Sequence, residues 1–177
     1  HVYQLRNTYS IASVNLSLGG GLYTSVCDSQ SQTLKSLIDL LRAANIATVI
    51  ASGNNGSASS ISFPACISSA ISVGATTKQN AIASYSNSSS LVSLLAPGSS
   101  INSAMPGGGY GYASGTSMAT PHVAGVWALM KSAKPSATVS EVLTALQSSG
   151  LPITDTRNGI VKPLIQLGGS SGAIASM

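Results

Sequence analysis

Gly115-Thr116-Ser117-Met118-Ala119-Thr120-Pro121-His122-Val123-Ala124-Gly125 is the stretch that decides how this chain is read. A glycine and a serine stand where a loop turns into an apolar helix. The Ser117 hydroxyl is therefore expected on the helix's first turn, beside N–H groups that have no intrahelical acceptor, which is an anion-stabilising place for a nucleophile. Met118, Ala119, Val123, Ala124, Val126, Trp127, Ala128 and Leu129 leave the helix almost no polar face, and such a helix is expected to be buried. Pro121 lacks the N–H that would reach the Ser117 carbonyl, so the first turn is expected to be irregular. The bland alternative is a Gly/Ser turn that merely caps a core helix.

Composition sets bounds on what surrounds this stretch. With 177 residues, 44% of them hydrophobic, the chain can bury the core of one domain. Only 7% are charged, and the net charge of +4 comes from eight Lys and Arg against four acidic residues. The basic residues are scattered without interleaved aromatics, which speaks against a nucleic-acid partner. The longest apolar run, Val123 to Met130, is far too short to cross a membrane. The chain begins at His1 with neither an initiator methionine nor a signal-peptide pattern, so it is expected to be a piece of something longer.

Working back from Ser117, the pattern is that of an α/β protein. Ile11 to Leu18 reads as a strand stopped by Gly19, Gly20 and Gly21, and Gly20 to Gln32 as loop. Leu34, Leu37, Ile38 and Leu41 recur at helical spacing, which predicts a helix over Thr33 to Ala44 ended by Asn45. Ile46 to Ala51 is apolar without alternation, as in a strand buried on both faces of a parallel sheet. Strand, helix and strand make a right-handed crossover unit, in which ligands bind at the carboxyl ends of the strands, here Gly19 to Gly21 and Ser52 to Gly56. Taken alone, Gly53-Asn54-Asn55-Gly56 is only a turn signal.

Further along, Ala70 to Ala75 and Leu94 to Ala96 are expected strands, Ser84 to Ser90 a serine-rich loop, and Gly107-Gly108-Gly109 a turn. The glycine run lacks the G-x-x-x-x-G-K-[ST] pattern of a phosphate cradle. Thr138 and Glu141 form a capping-box pattern before a helix that Gly150 stops. Asp155 to Gly159 is a turn, Ile160 to Leu167 a last strand, and residues 168–177 a small-residue tail or linker.

The segment G-T-S-M-A-T-P-H-V-A-G resembles the nucleophile motif of the subtilisin-like serine proteases, the subtilases. Ser17-Leu18-Gly19-Gly20, Gly53-Asn54, Phe63-Pro64-Ala65, Ser69-Ala70-Ile71-Ser72-Val73-Gly74-Ala75 and Ala96-Pro97-Gly98 resemble other segments of that family, in the same order. The resemblance covers residues 1–167 as the later part of a catalytic domain, truncated on its amino-terminal side. It implies an α/β fold with a mainly parallel sheet and helices on both faces. It makes Ser117 the nucleophile and Asn54 the side-chain donor to the oxyanion, a task that suits a neutral amide. Ser17, Leu18 and Gly19 would pair with an extended peptide as an added strand. Leu16 to Gly19 and Ser52 to Asn54 would wall the primary specificity pocket, with Ser62 and Phe63 near its base. Cys27 and Cys66, the only cysteines, are expected to form a disulfide, because subtilases are usually exported to oxidising compartments.

The triad base and its aspartate do not match anything in this chain. His122 lies five positions past Ser117, about 500° round the helix, and belongs to the helix scaffold in the family pattern. His1 has the wrong neighbours, and Asp28, Asp39 and Asp155 lie in the wrong places. Both missing residues are expected in an upstream segment. The reading is thus a secreted serine endopeptidase acting on protein or peptide substrates, with no cofactor, metal, nucleic acid or membrane partner. A catalytically silent peptide-binding relative and a Ser/Gly-rich surface module remain as alternatives.

Overall fold

Short apolar runs without alternation supply the interior strands of a parallel sheet, because residues on both of their faces are covered. In the computed structural model, which describes residues 1–168, the chain runs α1 (Val2–Leu5), β1 (Ser13–Leu16), β2 (Gly20–Tyr23), α2 (Gln32–Ala43), β3 (Ala47–Ala51), β4 (Ile61–Phe63) and β5 (Ile71–Thr76). It continues through β6 (Leu94–Pro97), β7 (Ile101–Ala104), β8 (Tyr110–Ala113), α3 (Thr116–Ala133), α4 (Val139–Ser149), β9 (Leu151–Thr154) and β10 (Val161–Leu164). Six strands form one sheet in the order β1-β3-β5-β6-β10-β9. Its pairings are parallel except for β9, which runs antiparallel to β10. Every residue of β3 and β5 is buried.

The expected α/β class is found, with helices on both faces. Val49, Val73 and Ala96 share one core cluster with Val123 and Trp127 of α3 and Leu146 of α4. Ile50 and Leu95 share the other with Ile38 of α2, Ile61 and Ile67. The side chain of Ser31 caps α2 by accepting from the Leu34 N–H, and Asn45 follows the helix at φ 58°, a left-handed conformation that asparagine tolerates. The capping box of Thr138 and Glu141 opens α4 as expected. Cys27 and Cys66 form a disulfide, both of them buried. Closing a loop across a separation of 39 residues contributes about 4 kcal/mol in the chain-entropy account.

Four expectations need correcting. Residues 20–32 are not simply loop: β2 pairs antiparallel with β4, and residues 28–30 form a turn of 3-10 helix. The expected strand Ile11 to Leu18 is ordered only over β1. The helix that carries Ser117 runs without a break from Thr116 through Pro121, because the carbonyl that Pro121 leaves unpaired finds a side-chain partner. That helix is also not covered all round: Pro121, His122, Gly125, Ala128 and Leu129 lie on an exposed side. Of the expected tail, residues 169–177 fall outside the described residues.

Candidate active site

β1 and β3 are adjacent and parallel, so the loops after them, residues 17–19 and 52–57, open side by side at the sheet's carboxyl end. That is where open α/β sheets bind ligands. The start of α3 reaches the same place, because Gly115 donates its N–H to the carbonyl of Gly98 just past β6 at 2.9 Å. Gly98 must be a glycine for this approach: a Cβ would stand 2.6 Å from that of Ala75 and 2.8 Å from the Gly115 carbonyl. The result is a cleft of about 420 Å³ lined by Ser17, Leu18, Gly19, Gly53, Asn54, Ser62 and Ser117, with Ala51, Asn55 and Thr116 between them. A larger hollow, about 740 Å³, lies between residues 6–12 and the ends of α2 and α3, and it contains none of the expected site residues.

Ser117 and Ser17 hold each other. The Ser117 hydroxyl donates to the Ser17 carbonyl at 3.2 Å, and the Ser17 hydroxyl donates to the Ser117 carbonyl at 2.8 Å. The second bond serves the acceptor that Pro121 leaves unmatched, so the Ser17 hydroxyl stands in for the missing N–H. Ser117 sits in the first turn of α3, where N–H groups lack intrahelical acceptors and the helix dipole favours negative charge.

Asn54 is fixed through its oxygen. Its Oδ1 accepts from the Thr116 N–H at 2.8 Å and from the Thr116 hydroxyl at 2.9 Å. An amide whose oxygen is doubly occupied has its orientation decided, with Nδ2 left as the donor side. Thr116 is fully buried, and its hydroxyl also accepts from the Gly53 N–H at 3.2 Å. The residue before Ser117 thus fixes the geometry of the amide across the cleft.

Ser52 does not line the cleft. It is fully buried beneath the loop, where its hydroxyl donates to the Asn87 carbonyl at 3.0 Å. Gly53 passes so close to the layer below, at φ 104°, that a Cβ would overlap Ser62 Oγ and Asn87 Nδ2. Thr116 and Asn87 are the two residues of this region that sequence reasoning missed. Their partners lie 62 and 35 positions away; Asn87 stands in no motif, and Thr116, though inside the 115–125 motif, carries no local sign of its role.

Among the described residues, no charged side chain lines the cleft. All four acidic residues are engaged elsewhere: Asp28 accepts from Ser68, Asp39 pairs with Lys35, Glu141 caps α4, and Asp155 pairs with Arg157. The Arg157 guanidinium, outweighing the effect of burial, holds the Asp155 carboxyl down at about 2. His122 is exposed on the outer side of α3, its Nδ1 2.8 Å from the Met118 carbonyl, and His1 is exposed at the start of α1. Neither histidine lines the cleft. The described residues therefore bring the Ser117 hydroxyl and an oriented amide together in one cleft, with neither histidine beside them.

Residues 10–162 match the model of the subtilase family. The chain is 42% identical over 139 residues to subtilisin amylosacchariticus of Bacillus subtilis subsp. amylosacchariticus, covering 77% of this chain and 35% of that protein. It is 40% identical over 155 residues to alkaline serine exoprotease A of Vibrio alginolyticus, covering 86% of this chain and 28% of that protein. The chain thus spans about a third of the length of these curated relatives. Among solved structures it is similar to a cold-adapted subtilisin-like serine proteinase, with a TM-score of 0.77 and 36% identity over 90% of this chain and 56% of the other. It is also similar to the prenylagaramide maturation protease PagA, with a TM-score of 0.84 and 28% identity over 98% of this chain and 65% of the other. No helix among the described residues is long and apolar enough to cross a membrane.

Proposed function

This chain belongs to the subtilase family, and from that premise we propose that the protein containing it is a serine endopeptidase that cleaves peptide bonds through an acyl-enzyme on Ser117. The observation that carries the reading is the double anchoring of Asn54 Oδ1 by Thr116, which leaves Nδ2 as a donor in the same cleft as Ser117. In the reaction, Ser117 Oγ attacks the substrate carbonyl and loses its proton to a base. The carbonyl oxygen becomes an oxyanion that the Asn54 amide and the first-turn N–H groups of α3 receive. The base and the aspartate that orients it are supplied by residues outside this chain. The substrate strand lies along residues 17–19, whose backbone it extends. Because no charge lines the cleft, the side chain before the scissile bond is uncharged; a buried cation without a partner would cost several kcal/mol. The buried Cys27–Cys66 disulfide supports an exported protein.

A fluorophosphonate probe tests this on the complete protein, since it reacts only with an activated serine. Labelling at Ser117 that disappears in Ser117→Ala is the expected result; an unlabelled protein whose cleft still binds peptide is a silent relative. Asn54→Ala is expected to lower kcat by about a hundredfold to a thousandfold with little change in KM, the size found when such a donor is removed in subtilisin. The 177-residue chain alone is expected to show no peptidase turnover.

A further inference from the structure

The loop that presents Asn54 is held from below by one side chain that the reaction itself does not use. Asn87 is 1% exposed, and the two ends of its amide grip the loop in opposite senses. Its Oδ1 accepts from the N–H groups of Asn55 and Ser57 at 3.0 and 3.1 Å. Two main-chain donors aimed at one atom identify that atom as the oxygen. The Nδ2 protons are shared among the Ser52 carbonyl at 3.1 Å, Asn55 Oδ1 at 3.2 Å and Ser62 Oγ at 3.3 Å. The main chain adds two more bonds, from the Asn87 N–H to the Gly53 carbonyl at 2.9 Å and from Ser52 Oγ to the Asn87 carbonyl at 3.0 Å. Asn87 therefore bonds to Ser52, Gly53, Asn55 and Ser57, the residues on either side of Asn54, while Thr116 holds the Asn54 side chain itself.

We propose that Asn87 is a positioning residue for the oxyanion donor, fixing the 52–57 backbone so that the Asn54 amide meets the developing charge on the substrate. The proposal rests on the reading of Asn54 given above. Two supports converge on that donor: Thr116 sets which way the amide faces, and Asn87 sets where its Cα sits. A hydroxyl or an aliphatic group at position 87 cannot replace this, because the loop requires two acceptor sites on one atom and donors on its neighbour. Even aspartate, of the same shape, turns the donor side into an acceptor facing the Ser52 carbonyl and Asn55 Oδ1. A preorganised donor loses its value steeply with displacement, and a shift of about 1 Å can cost on the order of a hundredfold in rate.

The test is a double-substitution cycle in the complete protein, with Asn87→Ala and Asn87→Asp each made alone and combined with Asn54→Ala. Thermal unfolding of each variant establishes that it is folded at the assay temperature. With Asn54 present, either Asn87 variant is expected to lower kcat by about tenfold to a hundredfold while KM changes by less than about threefold. In the Asn54→Ala background the same substitution is expected to change kcat by less than about threefold, because the group through which Asn87 acts is gone. A fall in kcat of equal size in both backgrounds overturns the proposal, as does a folded variant with unchanged kcat. If neither variant folds, Asn87 is scaffold and the proposal also fails. The parent reading fails separately: Asn54→Ala alone would then leave kcat where it was.

Discussion

Two stretches of this chain look alike as sequence and are opposites in the fold. Residues 84–90 are five serines with a tyrosine and an asparagine, and residues 105–110 are Met-Pro-Gly-Gly-Gly-Tyr; neither has an apolar period. In the first, Ser86, Asn87, Ser88 and Ser89 are buried. In the second, Gly107, Gly108 and Gly109 have positive φ, and a Cβ on any of them would meet nothing within 4 Å. Composition tells that a backbone can bend. Whether it is buried depends on partners from elsewhere that satisfy its polar groups. The serine loop has them: Ser86 Oγ accepts from the Ala75 N–H at 3.0 Å, and the Ser88 N–H donates to the Ser57 carbonyl at 2.8 Å. The glycine turn bonds chiefly within its own hairpin of β7 and β8.

The comparison breaks most visibly at Arg157, which belongs to neither stretch. Its guanidinium pairs with Asp155 and donates to the carbonyls of Gly56, Ser84 and Ser86 at 3.0 to 3.2 Å, so one side chain joins the 52–57 loop to the serine loop. All five of its N–H groups are in use, a geometry that lysine cannot copy. Arg157→Met would leave the Asp155 carboxylate, 3% exposed, without its cation. The expected cost is about 3 to 5 kcal/mol, measured by urea unfolding of the complete protein. A cost below about 1 kcal/mol would mean that the serine loop stays buried without this clamp.

Acid sharpens the same point with a smaller effect. Arg157 depresses the Asp155 pKa from 3.8 to about 2, so the folded state binds this proton more weakly than the unfolded chain does. The stabilisation is fully present above about pH 4 to 5 and is lost as pH falls towards 2, amounting to about 2 kcal/mol. Asp39, through Lys35, and Glu141, through Thr138, are shifted in the same direction, so the total acid sensitivity is not diagnostic. The diagnostic quantity is the difference between wild type and Asp155→Asn: between pH 5 and 2.5 the variant should lose about 2 kcal/mol less. Identical slopes would remove Asp155 from the account.

What could be read in advance follows the same division between local pattern and distant partner. The helix expected over Thr33 to Ala44 is found one residue earlier at each end, and the strand expected over Ile46 to Ala51 begins one residue later, because spacing and burial on both faces are written locally. β2 and β4 were invisible, since each is a short stretch in a polar surrounding that becomes a strand only by pairing with the other about 40 positions away. β9 carries Pro152 and lies on the sheet's edge, where a missing ladder donor is tolerated, so its sequence argues against a strand that exists. At the site, Ser117 and Asn54 stand in segments that carry a family resemblance. Thr116, Asn87 and Arg157 gain their roles only when loops from distant parts of the chain meet, and a serine-rich loop reads as surface until its bonds are known.

The smallest effect is expected at the glycine turn itself. Inserting Gly-Ser-Gly after Gly108 doubles a three-glycine tip in which a Cβ has open space and whose closing bonds, from the Met105 N–H to the Gly109 carbonyl and from the Gly108 N–H to the Met105 carbonyl, are local. Doubling a flexible loop costs about 0.6 kcal/mol of closure entropy. The ladder between β7 and β8, from Ile101 opposite Ala113 to Ala104 opposite Tyr110, lies between the tip and Ser117 and should keep its register. Unfolding free energy should therefore fall by less than about 1 kcal/mol, and kcat on a peptide substrate should stay within about twofold. The same insertion after Ser88 would separate Asn87 and Ser88 from Ser89 inside the buried network and is expected to unfold or inactivate the protein. If the tip insertion instead lowered kcat tenfold at unchanged stability, the hairpin would have to touch the substrate, and the contrast between a buried and an idle loop would not hold.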